Sequence, residues 1–275
     1  MRKTFFFALL TIIFPAALHA QAFNSLLGDE SVFIAQTKQV NQFFRRFNGE
    51  ESIRGDRFYS GDKDFRSPDL RQRYLHVLFD YQNSSITDPL KDAFIRDVLN
   101  TESPVFLNFH GGQWFAEVTT RFLYQGKDEE LTLFLKLEQE NLGHKWVISN
   151  VYFRHFQLLF SMNTETGSHF LHPLSHELDF MNLVRVFKDK DYVELYTEKE
   201  YLPDYLTLFL YEFKKGNLKF RTVSRVKFHF FQVPGWYFEL SEFNRPGGNS
   251  GWLISGLLKI NEEQKNILLK YIYHE

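Results

Sequence analysis

The densest group of side chains that could do chemistry is a run of histidines and acids at positions 169–179. His172 and His176 are four residues apart, so on a helix they would share one face at a spacing that zinc sites use. The third metal ligand would then be His169 or Glu177. The same run also fits a linker that enters a helix, because Pro173 suits the first turn and the following acids suit the N-terminal end. The linker is the favoured interpretation, and metal binding is the alternative.

Proton transfer is a second chemistry that the chain could support. It needs an acid or a histidine on the wall of a pocket, and His110, Glu117 and His229 lie in segments that alternate like strands. No local spacing pairs these side chains, and a lone histidine on a strand is more often structural than catalytic. The sequence therefore favours a non-catalytic role. An isomerase, dehydratase or hydrolase-like enzyme that uses a pocket acid or histidine is the alternative.

Aromatic residues beside glycine-containing turns indicate ligand binding. Tryptophans follow the glycine pair at 111–112 and the Pro-Gly turn at 234–235. Exposed aromatic rings can stack on sugars and on apolar ligands, and core packing is the competing interpretation. The predicted ligand-binding residues are His110, Trp114, His229, Trp236 and Tyr237. The sequence has neither a Walker-type phosphate loop nor a dinucleotide fingerprint, so no cofactor is expected.

The composition excludes several classes of protein. Hydrophobic residues make up 44%, too many for a disordered chain, and no cysteine is present to form a disulfide. Lys and Arg number 32 against 34 Asp and Glu, whereas a nucleic-acid-binding protein usually has a basic excess. No nucleic-acid partner is therefore expected. The most basic stretch, residues 45–73, has eight Arg or Lys among six Asp or Glu and is expected to be a solvated face of mixed charge.

The first 22 residues have the pattern of a cleaved signal peptide. Arg2 and Lys3 precede an apolar run at 5–18, and Ala20-Gln21-Ala22 fits the site that signal peptidases cut. The apolar run has about 14 residues, whereas a helix needs roughly 20 to span a bilayer. We therefore expect an exported, soluble bacterial protein of the periplasm or the cell exterior, which begins at Phe23 and has no membrane span.

The remaining chain predicts helices followed by strands, twice over. In the first part, helices are predicted at 31–48, at 69–81 and from Asp88, and strands at 105–110, 114–124, 131–137 and 145–153. In the second part, helices are predicted at 172–188 and 203–215, strands within 217–260, and a last helix from Asn261. This order predicts an α+β protein with two domains, residues 23–160 and 161–275. The 32 phenylalanines predict cores packed chiefly by rings.

In this order of elements, and in the aromatic strand that contains Lys145-Trp146-Val147-Ile148, the chain resembles the nuclear-transport-factor-two-like (cystatin-like) superfamily. The resemblance covers residues 30–155 and, more loosely, 170–275. It implies helices packed into the concave face of curved antiparallel sheets, in two tandem cone-like halves. Proteins of this fold have many functions, so the resemblance leaves the function open.

The function predicted from the sequence is the non-catalytic binding of a small molecule, a glycan or an envelope protein. The site would be a pocket between helices and sheet in either half, or the seam between the halves. A pocket filled by Phe side chains would favour an interaction protein. A pocket that contains one buried, hydrogen-bonded carboxylate or histidine would favour the enzyme.

Overall fold

The structure is a computed structural model, and it describes residues 39–141, 143–160, 183–188, 190, 193–198, 200–246 and 248–273. The predicted signal peptide and the histidines of the predicted metal site, His169, His172 and His176, lie outside the described residues. The helices are α1 (Val40–Asn48), α2 (Pro68–Val77), α3 (Asp88–Val98), α4 (Arg154–Leu159), α5 (Leu183–Val186), α6 (Tyr205–Lys214) and α7 (Glu262–Tyr273), with a 3-10 turn at Val193–Tyr196. The strands are β1 (Trp114–Tyr124), β2 (Lys127–Glu140), β3 (Gly143–Tyr152), β4 (Leu218–Phe230), β5 (Trp236–Phe243) and β6 (Gly251–Lys259).

These strands form one antiparallel sheet in the order β3-β2-β1-β4-β5-β6. The central pair, β1 and β4, runs from Trp114 opposite Phe230 to Tyr124 opposite Leu218. Register shifts interrupt this pair and two others, and such bulges bend a strand and increase its twist. The predicted α+β class, with helices on an antiparallel sheet, is confirmed. Within the described residues, every helix is too short or too polar to cross a membrane.

Helices α1, α2 and α3 cover one face of the sheet, and aromatic rings fill the space between them. The ring of Phe43 on α1 lies 6.2 Å from that of Phe230 on β4 and 6.3 Å from that of Phe238 on β5. Phe94 on α3 contacts Phe238 and Trp236 edge-on at 5.7 and 5.3 Å. Aromatic pairs of this kind contribute about 0.5–1.5 kcal/mol each beyond the area that they bury. The predicted ring-packed core is therefore confirmed.

Helix α7 packs on the opposite face of the sheet. Its Ile272 is buried against Phe115, Phe134 and Tyr237. Its start is fixed by a reciprocal cap, because the Gln264 N–H donates to the Asn261 side chain and the Asn261 N–H donates to the Gln264 side chain. The predicted start of the last helix is confirmed.

The predicted strand at 105–110 is wrong. Residues 105–108 have no regular secondary structure, and residues 109–110 form a turn. Leu107 is buried, and the backbone here pairs with side-chain amides rather than with another strand. Asn48 donates to the Leu107 carbonyl and accepts from its N–H, both at 2.8 Å. The Gln232 amide makes the same two hydrogen bonds with the backbone of Asn108, at 2.7 and 2.8 Å.

The second helix ends earlier than predicted. It was expected to extend to residue 81, whereas α2 ends at Val77, and Tyr81 lies beyond it and is exposed. The buried positions of α2 are Arg71, Tyr74 and Leu75, and Leu78, directly after the helix, is also buried. An arginine therefore shares the buried face of α2 with apolar residues.

The division into two tandem halves is not confirmed. Both groups of three strands belong to the same sheet, and α1 packs its rings on β4 and β5. The helices of the first part therefore share one core with strands of the second part.

Candidate functional site

An arginine-lined cleft lies where the C-terminal end of α1 meets the loop at 49–67 and the segment at 105–110. Its volume is about 680 Å³, within the range of small-ligand sites. The residues that argue for a function are Arg45, Glu50, Arg57, Arg66, Phe106 and His110. Three arginines and one glutamate make the lining positive. We call it the arginine cleft.

The end of α1 directs the chain into this cleft. Gly49 adopts a left-handed conformation with φ +69°. Its N–H donates to the Arg46 carbonyl and the Glu50 N–H donates to the Arg45 carbonyl, at 3.1 and 2.7 Å, which is the Schellman pattern of a helix end. A Cβ at position 49 would lie 2.6 Å from Cγ of the buried Arg71. Glycine is therefore required both by the backbone conformation and by the close approach of this side chain.

Glu51, the second residue after this turn, is a fully buried carboxylate held by α1. It accepts hydrogen bonds from Nε of Arg45 and Nε of Arg46, both at 3.0 Å, and from the Gln42 amide at 2.8 Å. The ion pairs compensate a charge that would otherwise be costly to bury. They also fix the direction of Arg45 at the edge of the cleft.

A tight loop returns the chain so that Arg57 lies opposite Glu51. The Ser52 N–H donates to the Asp56 carbonyl at 2.7 Å, and Glu51 and Arg57 form an antiparallel bridge. The Arg57 side chain is exposed, and its guanidinium carbon lies 5.1 Å from the Tyr59 ring centroid. Among the described residues, no carboxylate forms an ion pair with Arg57.

Arg66 and Glu50 form the ion pair of the cleft. Nε and a terminal nitrogen of Arg66 lie 2.8 and 2.7 Å from Oε1 of Glu50. Arg66 itself has φ +57°, which is uncommon for a residue other than glycine. Its guanidinium carbon is 4.3 Å from the Phe106 ring centroid, so the side chain is held both by charge and by an aromatic face.

Arg71 lies beneath the cleft and adds a buried positive charge. Its guanidinium donates to the backbone carbonyls of Phe47 and Val105 and lies 4.2 Å from the centroid of Phe106. Burial and, to a lesser extent, the charge of Arg66 lower the pKa of Arg71 to about 10, although the charge of Glu50 acts in the opposite direction. The side chain remains a cation at neutral pH, so it contributes to the positive potential of the cleft.

One of the predicted site residues, His110, lines the cleft, and a second, Trp114, contacts the segment that carries it. His110 is exposed on its rim, and its ring lies 4.2 Å from that of His144, near the start of β3. Trp114 is buried beneath the rim and donates from Nε1 to the Phe109 carbonyl at 2.9 Å. Trp114 therefore positions the segment that carries His110, and it is itself a core residue.

Trp236, a third predicted ligand-binding residue, belongs to the aromatic core. Its side chain is 1% exposed, and its Nε1 donates to Asp97 on α3 at 3.0 Å. Trp236 therefore fits core packing, the competing interpretation from the sequence.

The other two predicted residues, His229 and Tyr237, form a buried polar network beside α7. Nδ1 of His229 lies 2.7 Å from the Tyr237 hydroxyl, and Nε2 lies 2.9 Å from Oε2 of Glu117. The Tyr237 hydroxyl donates to Glu239 at 2.9 Å, and Glu239 also accepts from Lys227 at 3.3 Å. The candidate bases Glu117 and His229 are thus in contact with each other, on the sheet face opposite α1, α2 and α3.

The hydrogen-bond pattern of this network depends on where its protons are. Since Tyr237 gives its only proton to Glu239, the Nδ1 of His229 must donate to the tyrosine oxygen while Nε2 donates to Glu117. All the contacts are satisfied together when the imidazole carries both protons. Burial raises the pKa of Glu117, but the hydrogen bond and charge of His229, with the charges of Lys227 and Arg225, outweigh it and lower the pKa below its ordinary value.

The sequence does not indicate the arginine cleft, because its charge pattern predicts that residues 45–73 form a solvated face of mixed charge. That expectation is wrong for Arg46, Glu51 and Arg71, which are buried. A signal was present in α2, since Arg71 lies three and four residues before the buried Tyr74 and Leu75, on the stripe that faces a core. A charged residue on such a stripe needs partners. The partners of Arg71 include the carbonyls of Phe47 and Val105, beneath the cleft.

No group of three or more His, Asp or Glu side chains that could hold a metal ion occurs in the part of the chain that the structure describes. Comparison of the chain with models of protein families, with curated proteins and with solved structures found no match.

Proposed function

We propose that this chain is an exported binding protein that holds an anionic ligand in the arginine cleft. The observation that carries the proposal is Arg57, an exposed guanidinium in a positive cleft that has no carboxylate partner among the described residues. Guanidinium groups bind carboxylates and phosphates through two parallel hydrogen bonds. The signal-peptide pattern at residues 1–22 supports the exported location.

The chemistry of the cleft supports binding rather than catalysis. Arginine stays protonated at neutral pH and does not exchange protons with a substrate. Among the described residues that line the cleft, the one carboxylate is that of Glu50, and Arg66 engages one of its oxygens. The arginines fix and orient an anion without giving or taking a proton. His110, on the rim, is a residue type that acid–base enzymes use, but its ring has no carboxylate partner among the described residues. The order of helices and strands, with rings between them, supports a variant of the nuclear-transport-factor-two-like fold as the scaffold.

A second candidate function is proton transfer by the network of Glu117, His229 and Tyr237. A histidine that touches a carboxylate and a tyrosine is an arrangement that acid–base enzymes use. The network does not line the arginine cleft, so binding is the preferred function. If the protein is an enzyme, a ligand found for it will change during incubation, and His229→Gln will stop that change. A binding protein leaves the ligand unaltered.

A metal site at His169, His172 and His176 is a third proposal, tested by adding divalent metals.

A thermal-shift titration tests the binding proposal. The purified protein is titrated with citrate, phosphate, sulfate, galacturonate and an acidic dipeptide, with the neutral sugar galactose as the control ligand. At 100 times its dissociation constant a ligand stabilises the folded state by about 2.7 kcal/mol. We expect at least one anion to raise the melting temperature of the wild type and of Arg96→Gln, which removes an exposed arginine on α3, but not of Arg57→Gln. Equal shifts in all three proteins, or no shift with any anion, would contradict the proposal.

A further inference from the structure

We infer that the ligand of the arginine cleft is a hydroxylated carboxylate of the sugar-acid class, such as a uronic acid. This inference rests on the proposed function and names the chemistry of its ligand. It follows from the hydrogen-bonding groups that the described side chains leave available to a ligand in the cleft.

The first of these groups is an acceptor on Glu50. Its Oε1 accepts from two nitrogens of Arg66, and the Asn48 amide lies 3.4 Å from the same oxygen. The other oxygen, Oε2, accepts no hydrogen bond from the described residues. The Glu50 side chain is 16% exposed, so this oxygen is available to a ligand that can donate a hydrogen bond.

The second set of groups consists of donors. The Arg57 guanidinium has no ion pair among the described residues, and Arg45 uses only its Nε, towards Glu51. The terminal nitrogens of Arg45 therefore remain as donors. Asn41, one turn earlier on α1, is exposed and offers an amide that both donates and accepts.

A ligand that satisfies both sets must carry an anionic acceptor and hydrogen-bond donors. Inorganic phosphate and sulfate offer few or no donors for Glu50 at neutral pH, and a fatty acid has a carboxylate but no hydroxyl groups. A sugar acid has a planar carboxylate for Arg57 and several hydroxyl groups for Glu50 and Asn41.

Calorimetric titration of the wild-type protein with two matched carboxylates tests the inference. Galacturonate and cyclohexanecarboxylate have a carboxylate on a six-membered ring, but only the first has hydroxyl groups. We expect galacturonate to bind at least about tenfold more tightly, because hydrogen bonds to a charged group are lost in the second ligand. Glu50→Gln should reduce this ratio towards one, whereas Arg57→Gln should weaken both ligands. The control Arg96→Gln should change neither.

The outcomes separate the inference from the proposed function. Equal affinity for the two ring carboxylates in the wild type, or tighter binding of an acidic dipeptide than of galacturonate, overturns the sugar-acid class and leaves an anion-binding cleft. Failure of every anion to bind overturns both proposals. Trigalacturonate separates a free sugar acid from one in a chain: tighter binding than galacturonate extends the inference to an oligosaccharide, and equal binding limits it to a single residue.

Discussion

Arg66 binds Glu50 through a single carboxylate oxygen, with two nitrogens of the guanidinium 2.8 and 2.7 Å from Oε1. The backbone of Arg66 is in the left-handed region, and its N–H donates to the Gly49 carbonyl at 2.9 Å. A left-handed residue other than glycine costs roughly 1–2 kcal/mol, so the surrounding contacts must hold it in place. Uncommon backbone conformations of this kind occur often at binding sites. Here the Arg66 side chain is held by an ion pair, whereas Arg57, also in the cleft lining, has no ion pair among the described residues.

The first prediction concerns the buried carboxylate that organises α1 and the loop. Glu51→Gln should lower the free energy of unfolding by about 3–5 kcal/mol, since it removes the buried negative charge that forms ion pairs with Arg45 and the buried Arg46. Urea denaturation followed by circular dichroism measures the change. Glu102→Gln, at an exposed position, is the matched control and should change stability by less than about 0.5 kcal/mol. Similar losses in both variants would refute the assigned role of Glu51.

The second prediction concerns the glycine that ends α1. Gly49→Ala should lower the free energy of unfolding by about 1–2 kcal/mol from the left-handed backbone alone, and by more because the new methyl group meets Arg71. The control is Gly61→Ala, where a Cβ would meet nothing within 4 Å. Denaturation in urea compares the two variants. The account fails here if Gly49→Ala is as stable as Gly61→Ala.

The third prediction is a dependence of stability on pH that comes from Glu117. Its pKa is lower in the folded protein than in the unfolded chain, so at acid pH the unfolded state binds more protons. The stabilisation that ionised Glu117 provides is fully present above the ordinary carboxyl pKa. It is lost as the pH falls through the lower pKa that Glu117 has in the folded protein. Unfolding free energies measured below about pH 4.5 should therefore fall less steeply in Glu117→Gln than in the wild type, by at most about 1.4 kcal/mol per pH unit.

Glu102→Gln, at an exposed position, serves again as the control for this pH series. An unchanged slope in Glu117→Gln would show that the contact with His229 does not stabilise the ionised carboxylate. His229→Gln should also reduce the slope, because it removes a positive charge and keeps a donor.

The periodic helices and the hairpins were predictable from local pattern. Phe43, Phe44 and Phe47 recur in the sequence at the spacing of one helical face and are buried on α1, and the predicted start of the last helix at Asn261 matches the cap of α7. The pairing of β1 with β4 was not predictable, because a strand's alternation carries no information about its distant neighbour. The segment at 105–110 shows the same limit, since its partners are two side-chain amides.

The candidate site was less accessible to sequence reasoning than the fold. His110, His229 and Tyr237 were singled out by residue type, but the contact between His229 and Glu117 joins residues 112 positions apart. The arginine cleft depends on a turn at Gly49 and on the buried orientation of Arg71, which charge counting along residues 45–73 could not show. The balanced charges along residues 45–73 therefore gave no indication of the arginine cleft. In the structure some of these charged side chains form ion pairs, whereas Arg57 has none among the described residues.

The location of ligand binding is the central claim, and side-chain nuclear magnetic resonance tests it most directly. In protein labelled with ¹⁵N, the Nε–Hε signals of arginines are followed while galacturonate, or the anion that gives the largest thermal shift, is added. We predict saturable shifts of the signals of Arg57, Arg66 and Arg45, assigned by substitution, with no change at Arg96. Saturable shifts confined to arginines outside the cleft, or none with any anion, would contradict the account.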